Sequence, residues 1–214
     1  MADNTPKMIA LLGAMRKQMN GAVADAMYYY GERYGLNYGV SLPTIRSIAK
    51  EYGKQHDLAL YLYKQQVREL RLAALHIASA EEITTEEIGI WEQGVNNSEM
   101  AEEIAFAMIP NTAIIDEIYS RWSSSQSEYL CYAALMTAAR EKSLLNRENI
   151  NKMAEIVERF PSSRIIAQGC VACLATAATI DNSMREHIKT LLTTLPQTAT
   201  AEHIKEEMEW RLEF

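Results

Sequence analysis

Apolar residues recur three and four positions apart along nearly the whole chain, and no segment alternates apolar and polar residues as a half-buried strand would. The punctuation between these runs is helical. Thr5-Pro6 reads as a cap with proline at the first helical position, and Gly21 reads as the residue that closes that helix. Gly35 and Gly53 stand where C-terminal caps belong. Ser41-Leu42-Pro43 restarts the chain ahead of an apolar rhythm at Ile45, Ile48 and Ala49. Thr84-Thr85-Glu86-Glu87 has the form of a capping box before Ile88 and Trp91. Asn96-Asn97-Ser98, Pro110-Asn111, Ser123 to Ser127, Asn146, Pro161-Ser162, Asp181 and Pro196 divide the remainder into segments of ordinary helix length. The pattern predicts an all-α protein.

One helix type repeats. RELRLAALHIAS (68–79), EMAEEIAFAMIP (99–110), SEYLCYAALMTAA (127–139) and SRIIAQGCVACLATAA (163–178) each carry an apolar ridge rich in small residues, with one further helix between successive copies. Alanine at the contact lets neighbouring helices approach closely. Pairs stacked at this period form a solenoid in which each repeat touches its neighbours. The Trp, Gly and Tyr positions of tetratricopeptide repeats do not recur, which favours a HEAT-like repeat superhelix. Residues 1–214 are thus expected to form a single domain, a right-handed α-solenoid of stacked antiparallel helix pairs.

Charge changes this picture. Up to Ser79 the chain has ten Lys/Arg against six Asp/Glu, whereas from Ala80 onward it has eleven against twenty-two. Between Arg71 and Arg121 lie ten acids and no lysine or arginine. Phosphate backbones are gripped by clustered cations that displace counterions, so only the N-terminal third is suited to that role. The net charge of −7 argues for solubility. Three cysteines without a disulfide framework point to a reducing cytoplasm. The N-terminus reads as a capped helix rather than a signal peptide, and the richest apolar stretch, 165–180, is interrupted by Gln168, Gly169 and threonines, so no membrane partner is expected.

The segment from Tyr28 to Arg46, YYYGERYGLNYGVSLPTIR, resembles the bacterial DNA alkylation repair family of HEAT-like glycosylases. In that family a tyrosine-bearing helix leads into a Gly-aliphatic turn, then a proline and an arginine that open the next helix. The matching residues are Tyr30, Gly39-Val40, Pro43 and Arg46. The resemblance implies excision of N3- and N7-alkylated purines without flipping the base. A carboxylate stabilises the cationic sugar, two tryptophans pack on deoxyribose and an arginine holds the backbone. A cationic base is a good leaving group, so charge stabilisation can suffice.

Those functional residues have no counterparts here. In the repeat register the family's first tryptophan and its aspartate fall at Glu102 and Phe106, its arginine near Tyr132 and its second tryptophan near Ala172. No tryptophan lies between Trp91 and Trp122 or between Trp122 and Trp210, so both aromatic walls are missing. Glu102 or Glu103 is a replacement carboxylate in one reading and a solvated helix-surface acid in the other.

Eight of eleven tyrosines lie between Tyr28 and Tyr63, interleaved with Arg33, Arg46, Lys50 and Lys54. Such a surface stacks bases and meets phosphates, or else buries its rings in helix contacts. The nucleic-acid-binding candidates taken from the resemblance are Tyr30, Arg46 and, beside them, Lys50. Cys170-Val171-Ala172-Cys173 has the CxxC form but lacks a second ligand pair, and reads as buried packing. His76 reads as a hydrogen-bonded core residue, and no metal, cofactor or catalytic residue is assigned. The leading function is a catalytically degenerate member of the family that binds DNA, in double-stranded form through its N-terminal third, or another partner. An active alkylpurine DNA glycosylase and a protein-interaction scaffold without nucleic acid are the alternatives.

Overall fold

A computed structural model describes residues 3–213 and contains thirteen α-helices and no strand among them. The helices group into two compact units that meet in sequence between Ile114 and Ile115. Among the described residues, no helix is long and apolar enough to cross a membrane.

The first unit holds α1 (Thr5–Arg16), α2 (Gly21–Tyr29), α3 (Leu42–Lys50), α4 (His56–Tyr63), α5 (Arg68–Ile77), α6 (Ile88–Glu92) and α7 (Ser98–Ala107). Its centre is α5, nine of whose ten residues are buried, packed against α3, α4 and α7. Tyr63 and Trp91 fill the space behind α5, their ring centroids 4.7 Å apart, and the Tyr63 hydroxyl donates to the Trp91 carbonyl at 2.7 Å. The second unit holds α8 (Ile115–Ser123), α9 (Glu128–Ala138), α10 (Arg147–Arg159), α11 (Arg164–Ala177), α12 (Asn182–Thr194) and α13 (Ala199–Glu213). Here α11 lies between α9 and α13, with α8, α10 and α12 as the second member of each pair. A Cβ on Gly169 would stand 3.0 Å from the Leu135 side chain, so the small residue sets how closely α11 approaches α9.

Most of the expected punctuation is visible. Asn20, Ser41, Asn97, Ser127, Asn146, Ser163 and Asp181 each accept a backbone N–H in the following first turn, each bond worth about 1 kcal/mol. The four repeat helices are α5, α7, α9 and α11, each separated from the next by one further α-helix. Within the first unit the α5–α7 contact extends to α3, and within the second the α9–α11 contact extends to α13; neither α3 nor α13 carries the small-residue ridge.

Three boundaries differ from the sequence reading. Gly21 does not close α1, which ends at Arg16; it opens α2, because the Asn20 side chain caps the Val23 N–H at 3.3 Å. The C-terminal cap of α2 is Gly31, not Gly35. With φ at +95°, Gly31 donates to Tyr28 O while Glu32 donates to Met27 O, the paired bonds of a Schellman motif. Gly35 instead allows close approach to Gln66, whose carbonyl oxygen would lie 2.7 Å from a Cβ there. The capping box is also incomplete. Glu87 accepts from Thr84 N at 3.4 Å, but Thr84 to Glu87 form a turn and α6 begins only at Ile88.

Candidate nucleic-acid interface

The loop from Tyr30 to Ser41 is held mainly by the N-terminal ends of α5 and α7. Leu36 forms an isolated parallel bridge with Val67, donating to Gln66 O and accepting from Arg68 N, both at 2.8 Å. Buried Glu69 accepts from the N–H groups of Tyr38 and Val40 at 3.1 and 3.3 Å, and buried Arg68 donates to Val40 O at 2.8 Å. Arg68 also pairs with Glu99 at the start of α7, and Glu99 accepts from the Tyr34 hydroxyl. Ser98 donates to Glu32 at 2.8 Å. Gly39, φ +68°, sits so close to Asn20 that a Cβ would stand 2.0 Å from its carbonyl oxygen. The Gly-aliphatic turn is therefore a clamped feature that delivers Ser41 to cap α3. Its anchor was missed in the sequence, where adjacent Arg68 and Glu69 in an otherwise apolar helix are the one available signal.

Above this anchor the aromatic surface is open. None of the residues of α2 is buried. Tyr28 is 65% exposed, and Tyr29 and Tyr30 are each 81% exposed. Tyr29 and Tyr30 meet edge to face at 5.2 Å, and the Arg33 guanidinium lies 3.8 Å from the Tyr28 ring centroid. The remaining tyrosines between 34 and 63 are half-buried or buried.

Arg46 lies elsewhere in the same unit. Its Nε and Nη2 donate to Glu103 Oε1 and Oε2 at 2.8 and 2.6 Å, and its guanidinium stands 4.4 Å from the ring centroid of exposed Phe106. His76 Nε2 donates to the same Glu103 Oε1. Burial disfavours the charged form of Glu103, but the hydrogen bonds from His76 and Arg46 outweigh it and hold the carboxyl below its ordinary range. Glu103 is thus not a solvated surface acid: its side chain is 3% exposed and paired. Glu102 is exposed on the same helix. Lys50 is exposed one turn beyond Arg46 on α3. Among the described residues no hydrogen bond, ion pair or ring contact joins Tyr30 to Arg46 or Lys50.

Much of the basic charge of the N-terminal third is used internally. Arg68 and Arg71 are buried, Arg71 donating to the carbonyls of Tyr63 and Gln65, and Lys54 donates to His76 O at the end of α5. The exposed cations here include Arg16, Lys17, Arg33, Lys50 and Lys64. In the second unit Tyr132 is buried on α9 and Ala172 is half-buried on α11. Cys170 and Cys173 are buried free thiols, and Cys173 Sγ donates to Leu135 O at 2.8 Å, a packing role for the CxxC pair. Among the described residues no three His, Cys, Asp or Glu side chains converge as metal ligands.

No curated protein matches the chain significantly. A solved structure described as representing a new family of proteins related to the HEAT-like repeat DNA glycosylases, with affinity for branched DNA structures, superposes with a TM-score of 0.74. It is 16% identical, and the match covers 97% of this chain and 96% of that one. The thirteen helices thus form an all-α fold of the HEAT-like repeat type. Residues 11–165 match the family described as DNA alkylation repair enzyme, and the chain belongs to that family.

Proposed function

We propose that this protein is a DNA-binding member of the DNA alkylation repair family that does not excise bases. Its exposed tyrosines engage unstacked or terminal bases at a DNA branch. The observation that carries this reading is the run of three exposed tyrosines, on a helix with no buried residue, beside Arg33. Aromatic rings left largely in water contribute little to the core, while each is a platform worth about 1–3 kcal/mol when a base stacks on it. The similar solved structure, related to the HEAT-like repeat DNA glycosylases and with affinity for branched DNA, supports the same direction.

The non-catalytic half of the proposal rests on the missing tryptophan walls, which leave exposed Glu102 without a frame around a sugar, and on Glu103. A carboxylate that stabilises a cationic sugar must reach it with its charge unspent, whereas the Glu103 side chain is 3% exposed and its charge is held by Arg46 and His76. Phe106, not an acid, is the exposed residue one turn further along α7.

The test is fluorescence anisotropy with a labelled four-way junction and a linear duplex, at low and physiological salt. Junction binding is expected to be the tighter. The variant carrying Tyr28→Ser, Tyr29→Ser and Tyr30→Ser is expected to lose about tenfold or more on the junction. Arg33→Ala with Lys50→Ala, both exposed cations, is expected to weaken both substrates and to flatten the salt dependence by about one to two in slope; Arg46 is left in place because it is paired with buried Glu103. No binding at low salt sinks the proposal and leaves a protein scaffold. Release of alkylated purine from methylated DNA overturns its non-catalytic half.

A further inference from the structure

α5 carries two buried arginines three residues apart, and their charges are met very differently. Arg68 pairs with the carboxylates of Glu69 and Glu99. Arg71 is 8% exposed, and among the described residues no carboxylate pairs with it. Its Nε alone is engaged, donating to the carbonyls of Tyr63 and Gln65 at 3.2 and 2.8 Å. Neither Nη atom has a hydrogen-bond partner among the described residues, yet neither is sealed from solvent. A guanidinium cannot shed its proton to escape burial, and a buried charge without a counter-ion is costly. Arg71 therefore holds an unfilled fork.

That fork lines a recess of about 100 Å³ between the α4–α5 connection and the end of α6. Lys64 and Gln66 come from the connection, Gln93 and Gly94 from just beyond α6. Two cations and two amides stand in the wall, and no acid. In a chain of net charge −7 this is unusual: the recess between α1 and α4 sets Asp57 and Glu82 against Lys7. The side chains of Lys64, Gln66 and Gln93 are exposed and have no hydrogen bond or ion pair among the described residues.

The walls are fixed before any ligand arrives. Gln66 O accepts from Leu36 N at 2.8 Å, next to the bridge between Leu36 and Val67. The Tyr63 hydroxyl is spent on Trp91 O, and a Cβ at Gly94 would stand 2.3 Å from it, so glycine there lets the two walls meet. Donors held in place lose little freedom on binding. About 100 Å³ is the share of roughly three water molecules. It suits one tetrahedral oxyanion and falls well below the volume of about 300 Å³ or more that a larger organic ligand needs. A planar fork matches two oxygens of such an ion, and a lysine adds a point charge.

We propose that this recess binds one phosphate dianion, either free inorganic phosphate or the terminal group of a small phosphomonoester whose remainder stays in solvent. The Nη atoms of Arg71 hold two oxygens, Lys64 supplies the second charge, and Gln66 and Gln93 are further donors. At about 100° per residue, Arg71 lies about 140° around α5 from His76. The site is thus separate from the Glu103 cluster, and it does not depend on the tyrosine surface.

The experiment titrates the full chain with inorganic phosphate and with glycerol 3-phosphate, at about pH 8 where both are dianions, against chloride at matched ionic strength. Calorimetry and the melting temperature are the readouts. Phosphate is expected to bind and to raise the melting temperature, and chloride is not. Gln93→Glu puts a carboxylate beside the fork and is expected to weaken phosphate binding about tenfold or more, and Lys64→Ala severalfold. Both positions are exposed, so each variant should keep its fold in chloride. Binding of both ligands supports a phosphomonoester, and binding of phosphate alone supports the free ion. The proposal is overturned if neither ligand binds, if chloride gives the same shift, or if both variants match the parent.

Discussion

Glu103 shows how a residue's role follows from its partners. As one acid of a Glu-Glu pair on a helix it is ordinary; between Arg46 and His76 it becomes the buried centre of a charge cluster. Glu103 is buried but Arg46 keeps about a third of its side chain in water, so Glu103→Gln is expected to cost about 1–2 kcal/mol in denaturant unfolding. Its folded-state pKa is depressed, so the unfolded chain takes up the proton first as pH falls. The stabilisation is therefore full above the ordinary carboxylate range, about pH 4–5, and is lost as pH falls through the lowered value. The gap between parent and variant should narrow in acid; a constant gap would show that ionisation plays no part. At Gly39 the constraint is steric. Gly39→Ala meets both a left-handed φ and the Asn20 carbonyl, and is expected to cost about 2 kcal/mol or more. Gly31→Ala, left-handed but with open space around it, should cost less in the same assay.

At the scale of elements, α2 and α5 are opposites. Nine residues of α5 are buried and none of α2. Local opening costs only as much as the contacts it breaks, so amides of α2 should exchange with deuterium far faster than those of α5. Equal protection in the free protein would mean that the tyrosine helix is covered. The helices themselves were readable because caps and amphipathic spacing are local. Ser41, Asn97 and Asp181 mark starts by hydrogen bonds to residues three positions on. Gly21 and Gly35 were misread because a glycine signals conformational freedom without saying which neighbour uses it. Asn20 claimed the first for a helix start, and Gln66 approaches the second. α3 and α13 escaped the repeat count because they join it by contact, not by sequence likeness.

For the whole molecule, bulk charge is a poor guide to where a phosphate would bind. Through Ile114 the chain carries ten cations against fourteen acids, and several of those cations are tied into the core. The proposed DNA contact therefore relies on local arrangements such as Arg33 beside Tyr28. Thiol chemistry also follows packing. Burial raises the Cys131 thiol to about 11 and the Cys170 thiol to about 12, and pushes Cys173 well up too. At mildly alkaline pH the native protein should resist a thiol reagent at all three positions and react at three after denaturation. Rapid native labelling would contradict a packing role for the CxxC pair. By itself the sequence determined the helical class, most helix starts, the four central repeat helices and the tyrosine-rich segment, because each is written in residues a few positions apart. Only the tertiary structure decided which cations are spent, which tyrosines face water and what Glu103 does. Arg46 and His76 reach it across 57 and 27 residues of sequence, and such a meeting is set by how helices pack, not by any local pattern.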